Sequence, residues 1–356
     1  MTHTTSILSP TPEHLAQAAL LLQNGEVVAM PTETVYGLAA SLWQEAGLMR
    51  VFASKERPQF DPLIVHLSAE MAADANLMAT LVDFGQISLI WQKQVAALKA
   101  AFWPGPLTLV LPKTAKVPDL ATSGLATIAL RVPAHPVAQA LIQATGAPLA
   151  APSANRFGRI SPTTAQAVYE ELAGRIPLIL DGGPCEVGLE STVLGWDARQ
   201  NPQILRPGQI SAAEISQILG TEVHEAALHP VEIQAPGMLK NHYAPRKPLF
   251  LLPENWRLEN KQILPENPAG LQLAAPKAGF LLLEGDAEAL SSDLLCPVVT
   301  LSKNGSRADC ARQLFAALRH LDASSADFLW AEIPSDTEGL GYAIANRLSK
   351  AAFKNN

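Results

Sequence analysis

Four cations recur beside shaped loops: Lys55 and Arg57 in "KERPQFDP", Arg131 in "TIALRVP", and Arg206 in "ILRPG". Apolar runs between them end in small polar groups. "EVVAM" runs into "PTETVYG", which carries Thr32, Glu33, Thr34 and Tyr36. "PLAAPSAN" ends in Ser153 and Asn155, and "LESTV" sets Ser191 and Thr192 at the start of a strand. "ATSGLA" adds Thr122 and Ser123, and His66 closes "PLIVH". Lys and Arg make charge-assisted hydrogen bonds to phosphate and carboxylate oxygens. Small hydroxyls and amides orient a polar ligand, and Pro and Gly shape the backbone around it. The pattern predicts a pocket for an anionic, polar small molecule. Arg131, inside an apolar strand, must be ion-paired or face a ligand, because an unpaired buried charge is costly.

Each feature also has a purely structural reading. Lys55 and Arg57 suit a helix C-terminus, His66 suits a satisfied core histidine, "PTETVYG" suits a β-turn, and "WPGPLTLVL" reads as a rigid turn into a buried strand. Ser161 followed by Pro162 reads as a helix N-cap and first position. Familiar catalytic signatures are missing. Ser153 is not in a G-x-S-x-G setting, there is no Walker A sequence, and no G-x-G-x-x-G follows a strand. Gly339-Leu340-Gly341 opens the last helix with too little chain beyond it for a nucleotide fingerprint. Cys185, Cys296 and Cys310 are widely spaced without a C-x-x-C, so neither a zinc ribbon nor a disulfide framework is indicated.

The elements that must position these residues alternate. Helices are predicted at 12–23, 44–54, 86–101, 136–145, 162–173 and 211–219. Strands are predicted at 26–31, 62–67, 107–112, 127–133, 148–153, 177–183 and 191–196. This is an α/β pattern, and the loop-only connection between 107–112 and 127–133 implies an antiparallel pair within a mixed sheet. After Arg206-Pro207-Gly208 the texture changes, and 211–246 reads as a linker. A second α/β unit follows at 247–356, with strands "LFLL", "GFLLLEG", "PVVTLS" and "DFLWAEIP" and helices at 306–322 and from about 339.

The 356 residues suit two domains. A formal net charge of -7 argues against broad nucleic-acid binding. "MTHTTSILSPTPEHL" lacks the basic-then-apolar layout of a secretory signal, and no apolar run reaches the ~18 residues of a membrane span. A cytoplasmic protein is expected.

In order and spacing, "PTETVYGLAA", "KERPQFDPLIVH", "FWPGPLTLVL", "APSANRFGRISPT", "LESTV" and "ILRPG" resemble the YrdC-type domain of L-threonylcarbamoyladenylate synthases, over residues 10–210. "APGMLKNHYAP" and "GLGYAIANRLSKAA" resemble the long form of that family, which adds a smaller Rossmann-like domain. The resemblance implies a YrdC-like twisted mixed sheet with flanking helices. It implies synthesis of L-threonylcarbamoyl-AMP from L-threonine, bicarbonate and ATP with Mg²⁺. A downstream transferase would then modify adenosine 37 of tRNAs reading ANN codons. By resemblance, Thr32, His66, Thr122, Arg131 and Ser191 hold threonine. Lys55, Arg57, Asp61, Ser153, Asn155 and Arg206 hold ATP, and Tyr243 closes over the nucleotide from the linker. The sequence departs from the family at Asp61, where Asn is common, and at Leu239 and Asn241 in the linker. A hydrogenase-maturation carbamoyltransferase would bring an acylphosphatase module and C-x-x-C motifs, which this chain lacks. A non-catalytic RNA- or ribosome-binding module of the same fold stays open as the alternative.

Overall fold

The computed structural model describes residues 3–58, 60–197, 199–225, 242–253, 257–259, 262–264, 278–285 and 297–352. The chain divides into two compact units. The first comprises Met1–Phe157 and Ser161–Leu239, the second Gly158–Ile160 and Lys240–Asn356.

The first unit is built on β1 (Ser6–Leu8), β2 (Val28–Met30), β3 (Gly37–Ser41), β4 (Ile64–His66), β5 (Leu107–Pro112) and β6 (Thr127–Arg131). It continues with β7 (Leu149–Ala150), β8 (Leu178–Leu180), β9 (Thr192–Trp196), β10 (Pro202–Arg206) and β11 (His224–Glu225). They form one sheet in the order β1-β8-β2-β3-β7-β4-β6-β5-β9-β10-β11. The sheet is mixed. β4 runs parallel to β6 and β5 to β9, while β5 and β6 are antiparallel, as expected from their short connection.

Side chains alternate across a pleated strand, so each central strand feeds two layers. Val65, Leu109, Leu130 and Leu194 enter the main core. Their neighbours Ile64, Val110, Ala129 and Val193 form a separate small apolar cluster. The same alternation sets His66 beside Ile64, Arg131 beside Ala129, Thr108 beside Val110 and Ser191 beside Val193. One face of the central sheet therefore carries a short apolar floor with a polar border.

Local chemistry sets the helices that frame it. Thr11 caps Pro12–Gln23 by accepting from the His14 amide, and Ala18, Ala19 and Leu22 face the core. Glu45–Lys55 ends at Glu56, which takes the left-handed conformation at φ 54° and turns the chain towards Arg57. Several local expectations need correction. The helix after "RISPT" starts at Ala165, not 162. Its cap is Thr164, whose hydroxyl accepts from the Ala167 amide. Ser161 instead donates to the buried Glu190 carboxylate at 2.6 Å. "ATSGLA" is not all loop, since Asp119–Thr122 is a short helix closed by left-handed Ser123. β3 was not anticipated, because "GLAAS" offers neither β-branched residues nor alternation.

Helix Ala212–Leu219 opens with a Ser211–Glu214 capping box and packs on helix Leu89–Phe102. Residues 226–241 of the expected linker, with Leu239 and Asn241, lie outside the described residues, as does Cys296.

The second unit holds β12 (Leu249–Leu251), a hairpin of β13 (Arg257–Glu259) and β14 (Gln262–Leu264), then β15 (Ala278–Glu284), β16 (Val298–Ser302) and β17 (Phe328–Ala331). β12, β17, β15 and β16 form a parallel sheet in that order, the Rossmann-like arrangement expected. Helix Arg307–Ala323 buries Ala311, Leu314, Phe315, Leu318 and Leu321 along one face. Arg159 pairs with Ala244 in a parallel bridge, and its guanidinium lies 3.6 Å from Asp322.

Gly208 tests how tightly the "LEST" and "RPG" segments fit. A Cβ there would abut the Thr192 amide nitrogen and lie 2.7 Å from the Ser191 carbonyl carbon, backbone atoms that cannot rotate away. Gly208→Ala is expected to destabilise the chain by about 1–3 kcal/mol, as overpacking does. Urea unfolding checks this, and an unchanged midpoint would refute the tight fit.

Candidate functional site

The polar border has two ends, set by β4. Pro62 precedes this strand and His66 closes it, a span of roughly 13 Å at about 3.3 Å per residue.

Arg131, His66, Thr32 and Ser191 gather at the His66 end. Arg131 lies opposite His66 in the parallel ladder and opposite Thr108 in the antiparallel one. Its Nη2 lies 2.6 Å from Glu33 Oε1, its Nη1 donates to Thr34 Oγ1 at 2.9 Å, and its Nε donates to the Gly105 carbonyl. Thr32 Oγ1 donates to the Val35 carbonyl at 2.6 Å and accepts from the Thr34 and Val35 amides, which closes the "PTET" turn on itself. Tyr36 anchors that turn by donating to the Gly183 carbonyl at 2.8 Å. Ser191 Oγ contacts Thr108 Oγ1 at 2.7 Å. Arg206 Nη2 donates to the Ser191 carbonyl at 3.0 Å and to its hydroxyl at 3.1 Å.

Lys55, Arg57, Asp61, Ser153 and Asn155 gather at the other end. Lys55 Nζ donates to the Ser153 carbonyl at 2.5 Å and to the Asn155 carbonyl. The helix-terminal lysine thereby staples the "PSAN" loop. Ser153 also bridges Gly37, so "PTETVYG" and "PSAN" share backbone contacts. Arg57 pairs with Asp61 at 2.9 Å and donates to the Pro62 carbonyl at 2.9 Å. Asn155 Nδ2 donates to the Arg156 carbonyl at 2.7 Å.

Three further expected site residues have these places. Arg206, assigned by resemblance to the nucleotide, lies with Ser191. Thr122 sits on the short helix Asp119–Thr122, buried, with its hydroxyl at 3.4 Å from the Asp119 carbonyl. Tyr243 lies in the second unit, at φ 67°, with its ring stacked on Phe315 and the Arg347 guanidinium 5.4 Å from its centre. Glu33 and Thr108 were missed as site residues. Glu33 was legible, since a buried Arg131 demands a counter-charge. Thr108 follows from alternation with Val110.

The electrostatics are tense. Burial pushes the Glu33 carboxyl up, yet the Arg131 guanidinium outweighs it and holds the group below the ordinary carboxylate range. Burial, and then the Arg57 charge, drive the Lys55 ammonium well down. Cys185 is buried nearby, and burial followed by the Glu33 charge pushes its thiol up to about 12. Burial thus disfavours the thiolate, the nucleophilic form. The site arranges donors and cations around a floor, and what it can do is bind, orient and stabilise anionic charge.

Fold and site together define a two-unit α/β protein whose first unit carries buried cations and hydroxyls on one face of a mixed sheet. The family described as "Telomere recombination" matches residues 20–208, and that described as "Threonylcarbamoyl-AMP synthase, C-terminal domain" matches residues 210–353. Threonylcarbamoyl-AMP synthase of Bacillus subtilis (strain 168) is 39% identical over 351 residues, covering 98% of this chain and 95% of that protein. Its namesake in Pyrococcus abyssi (strain GE5 / Orsay) is 37% identical, covering 94% and 93%. The crystal structure of P. abyssi Sua5 complexed with L-threonine superposes with a TM-score of 0.77 at 31% identity, covering 99% of this chain and 98% of that one. The chain belongs to the threonylcarbamoyl-AMP synthase family.

His66 gives the site a pH signature. Burial, followed by the Arg131 charge, pushes its imidazole down from 6.5 to about 3. The unfolded chain takes up this proton below pH 6.5, the folded chain only near pH 3. Stability is therefore lost as pH falls through that window, by about 2 kcal/mol at pH 5. His66→Gln is expected to remove that share of the pH 7 to pH 5 loss in urea unfolding. An identical loss in both proteins would show that His66 is not held neutral.

Proposed function

We infer that this chain synthesises L-threonylcarbamoyl-AMP from L-threonine, bicarbonate and ATP, with release of pyrophosphate. The observation that carries this reading is the two-ended sheet face. It offers Arg131 with small hydroxyls at one end and Lys55 with Arg57 at the other, across an apolar floor. An amino acid presents one carboxylate and a short side chain. A nucleotide presents a run of phosphate charge. The two ends suit the two substrates.

In this reading the threonine carboxylate meets Arg131, and its side chain meets Thr32, His66 and Ser191. The threonine amine adds to bicarbonate, losing water, to give the carbamate. A carbamate oxygen attacks the α-phosphorus, and the bond from that phosphorus to the bridging oxygen breaks to release pyrophosphate. No covalent link to the protein is needed, in keeping with the protonated, buried Cys185. The chain contributes placement of the two reactants and fixed donors for developing charge. Lys55, Arg57 and the "PSAN" backbone orient the triphosphate. Among the described residues, no group of three or more His, Cys, Asp or Glu side chains is placed to hold a metal ion. Mg²⁺ would come with the substrate's phosphates, its usual partners, and would neutralise phosphate charge. The product is a reactive mixed anhydride suited to a transferase that modifies adenosine 37 of ANN-reading tRNAs. No helix among the described residues is long and apolar enough to cross a membrane, and a cytoplasmic place suits tRNA chemistry.

Pyrophosphate release is expected only when ATP, L-threonine and bicarbonate are all supplied with Mg²⁺. Equal release without threonine would refute the reading, and no release at all would return the chain to the binding-module alternative. Asp61 offers a finer test. Its carboxylate engages Arg57 and adds negative charge where phosphates would lie. Asp61→Asn is expected to lower the KM for ATP several-fold with little change in the KM for threonine. A raised ATP KM would mean that Asp61 positions Arg57 rather than competing for it.

A further inference from the structure

The second unit carries a cavity of its own, about 730 Å³, that the reaction above does not use. It opens beyond the carboxyl ends of all four parallel strands. Leu252 follows β12, Glu284 ends β15, Gly305 and Arg307 follow β16, and Glu332 follows β17. Clefts at that edge are where open parallel sheets take ligands, at the border where successive connections leave in opposite directions. That border here lies between β15 and β17. The chain leaves β15 for β16 on one side, and after β17 it continues into helix Gly339–Ala352, which packs on β12 on the other.

The two strands separate at this point. Their last backbone bond joins the Glu332 amide to the Leu281 carbonyl at 2.8 Å. Beyond it, the Glu332 carboxylate accepts from the Leu283 amide at 2.8 Å, so a side chain replaces the ladder and the crevice stays open. Gly305, at φ 72°, leaves space for Glu284, since a Cβ there would collide with the Glu284 carboxylate. Arg307, also in the lining, makes a bidentate pair with Asp336, at 2.8 Å from Nη2 and 3.1 Å from Nε.

The lining chemistry narrows the ligand. The exposed Glu284 carboxylate lines the cavity, and the lining cation Arg307 is already paired with Asp336, so hydroxyl or amine donors are favoured over a bare phosphate. Leu252, Ile333 and the neighbouring prolines give an apolar wall for a flat ring. The volume is in the range of small-molecule sites, 300–1,000 Å³. We propose that this cavity binds an uncharged nucleoside, with the ribose cis-diol donating to Glu284 and the base against the Leu252–Ile333 wall. The site belongs wholly to the second unit and does not depend on the synthase reading.

Hydrogen exchange by mass spectrometry on the full chain tests it, because the readout is local. Millimolar adenosine is expected to protect peptides covering 302–309 and 331–336. Glu284→Gln, at an exposed position, should raise the adenosine needed at least fivefold, and 2′-deoxyadenosine should protect at least tenfold more weakly. Protection confined to peptides around Lys55 and Ser153 would place adenosine at the first unit's site alone and overturn the proposal. Equal protection by deoxyadenosine or by inorganic phosphate, or none at all, would overturn it as well.

Discussion

An arginine inside a sheet needs a counter-charge, and the way Arg131 obtains one organises the first unit. No neighbouring strand supplies it. Glu33 does, from the "PTET" turn, with Thr34 adding a neutral acceptor. That demand draws the turn to the polar border of the sheet face. The turn is then fixed from other directions. The Val187 amide donates to the Glu33 carbonyl at 2.8 Å, and Tyr36 reaches the 181–183 loop. Breaking such a buried pair by removing one partner costs roughly 3–5 kcal/mol, so the turn and the strand stand or fall together.

Lys55 plays the corresponding part at the opposite end. A buried ammonium with two carbonyl acceptors holds the "PSAN" loop in place before any ligand arrives. Burial, and then the Arg57 charge, oppose its protonation. An incoming triphosphate would relieve that opposition, which favours phosphate over a neutral ligand. The donors at both ends are pre-set by protein contacts, and fixed dipoles stabilise developing charge without reorganising during reaction. This suits a reaction between two bound substrates in which the protein forms no bond.

Much of this was legible before the structure. Helices 12–23 and 136–145 and strand 107–112 lie where periodicity and capping residues put them, because each has an uninterrupted apolar face and clear stops. β3 was invisible, since its small residues are selected for close packing, with Gly37 only 3.2 Å from the Ala151 methyl at the Cβ position. Ser161-Pro162 had the chemistry of a helix start, but the buried Glu190 took the serine hydroxyl. The cations and hydroxyls of the site could be read from residue type. Their division into two ends could not, because it depends on register. Arg206 shows this best, as only the bulged pairing of β10 with β9 sets its guanidinium on Ser191.

The central claim is that one sheet face holds the amino acid at the Arg131 end and the triphosphate at the Lys55 end. A crystal structure of the chain with L-threonine and a non-hydrolysable ATP analogue tests it most directly. The account predicts the threonine carboxylate within hydrogen-bond reach of Arg131, above Ile64 and Ala129, with the triphosphate against Lys55, Arg57 and Ser153. Threonine bound away from that floor, or phosphates seated at Arg131, would contradict it.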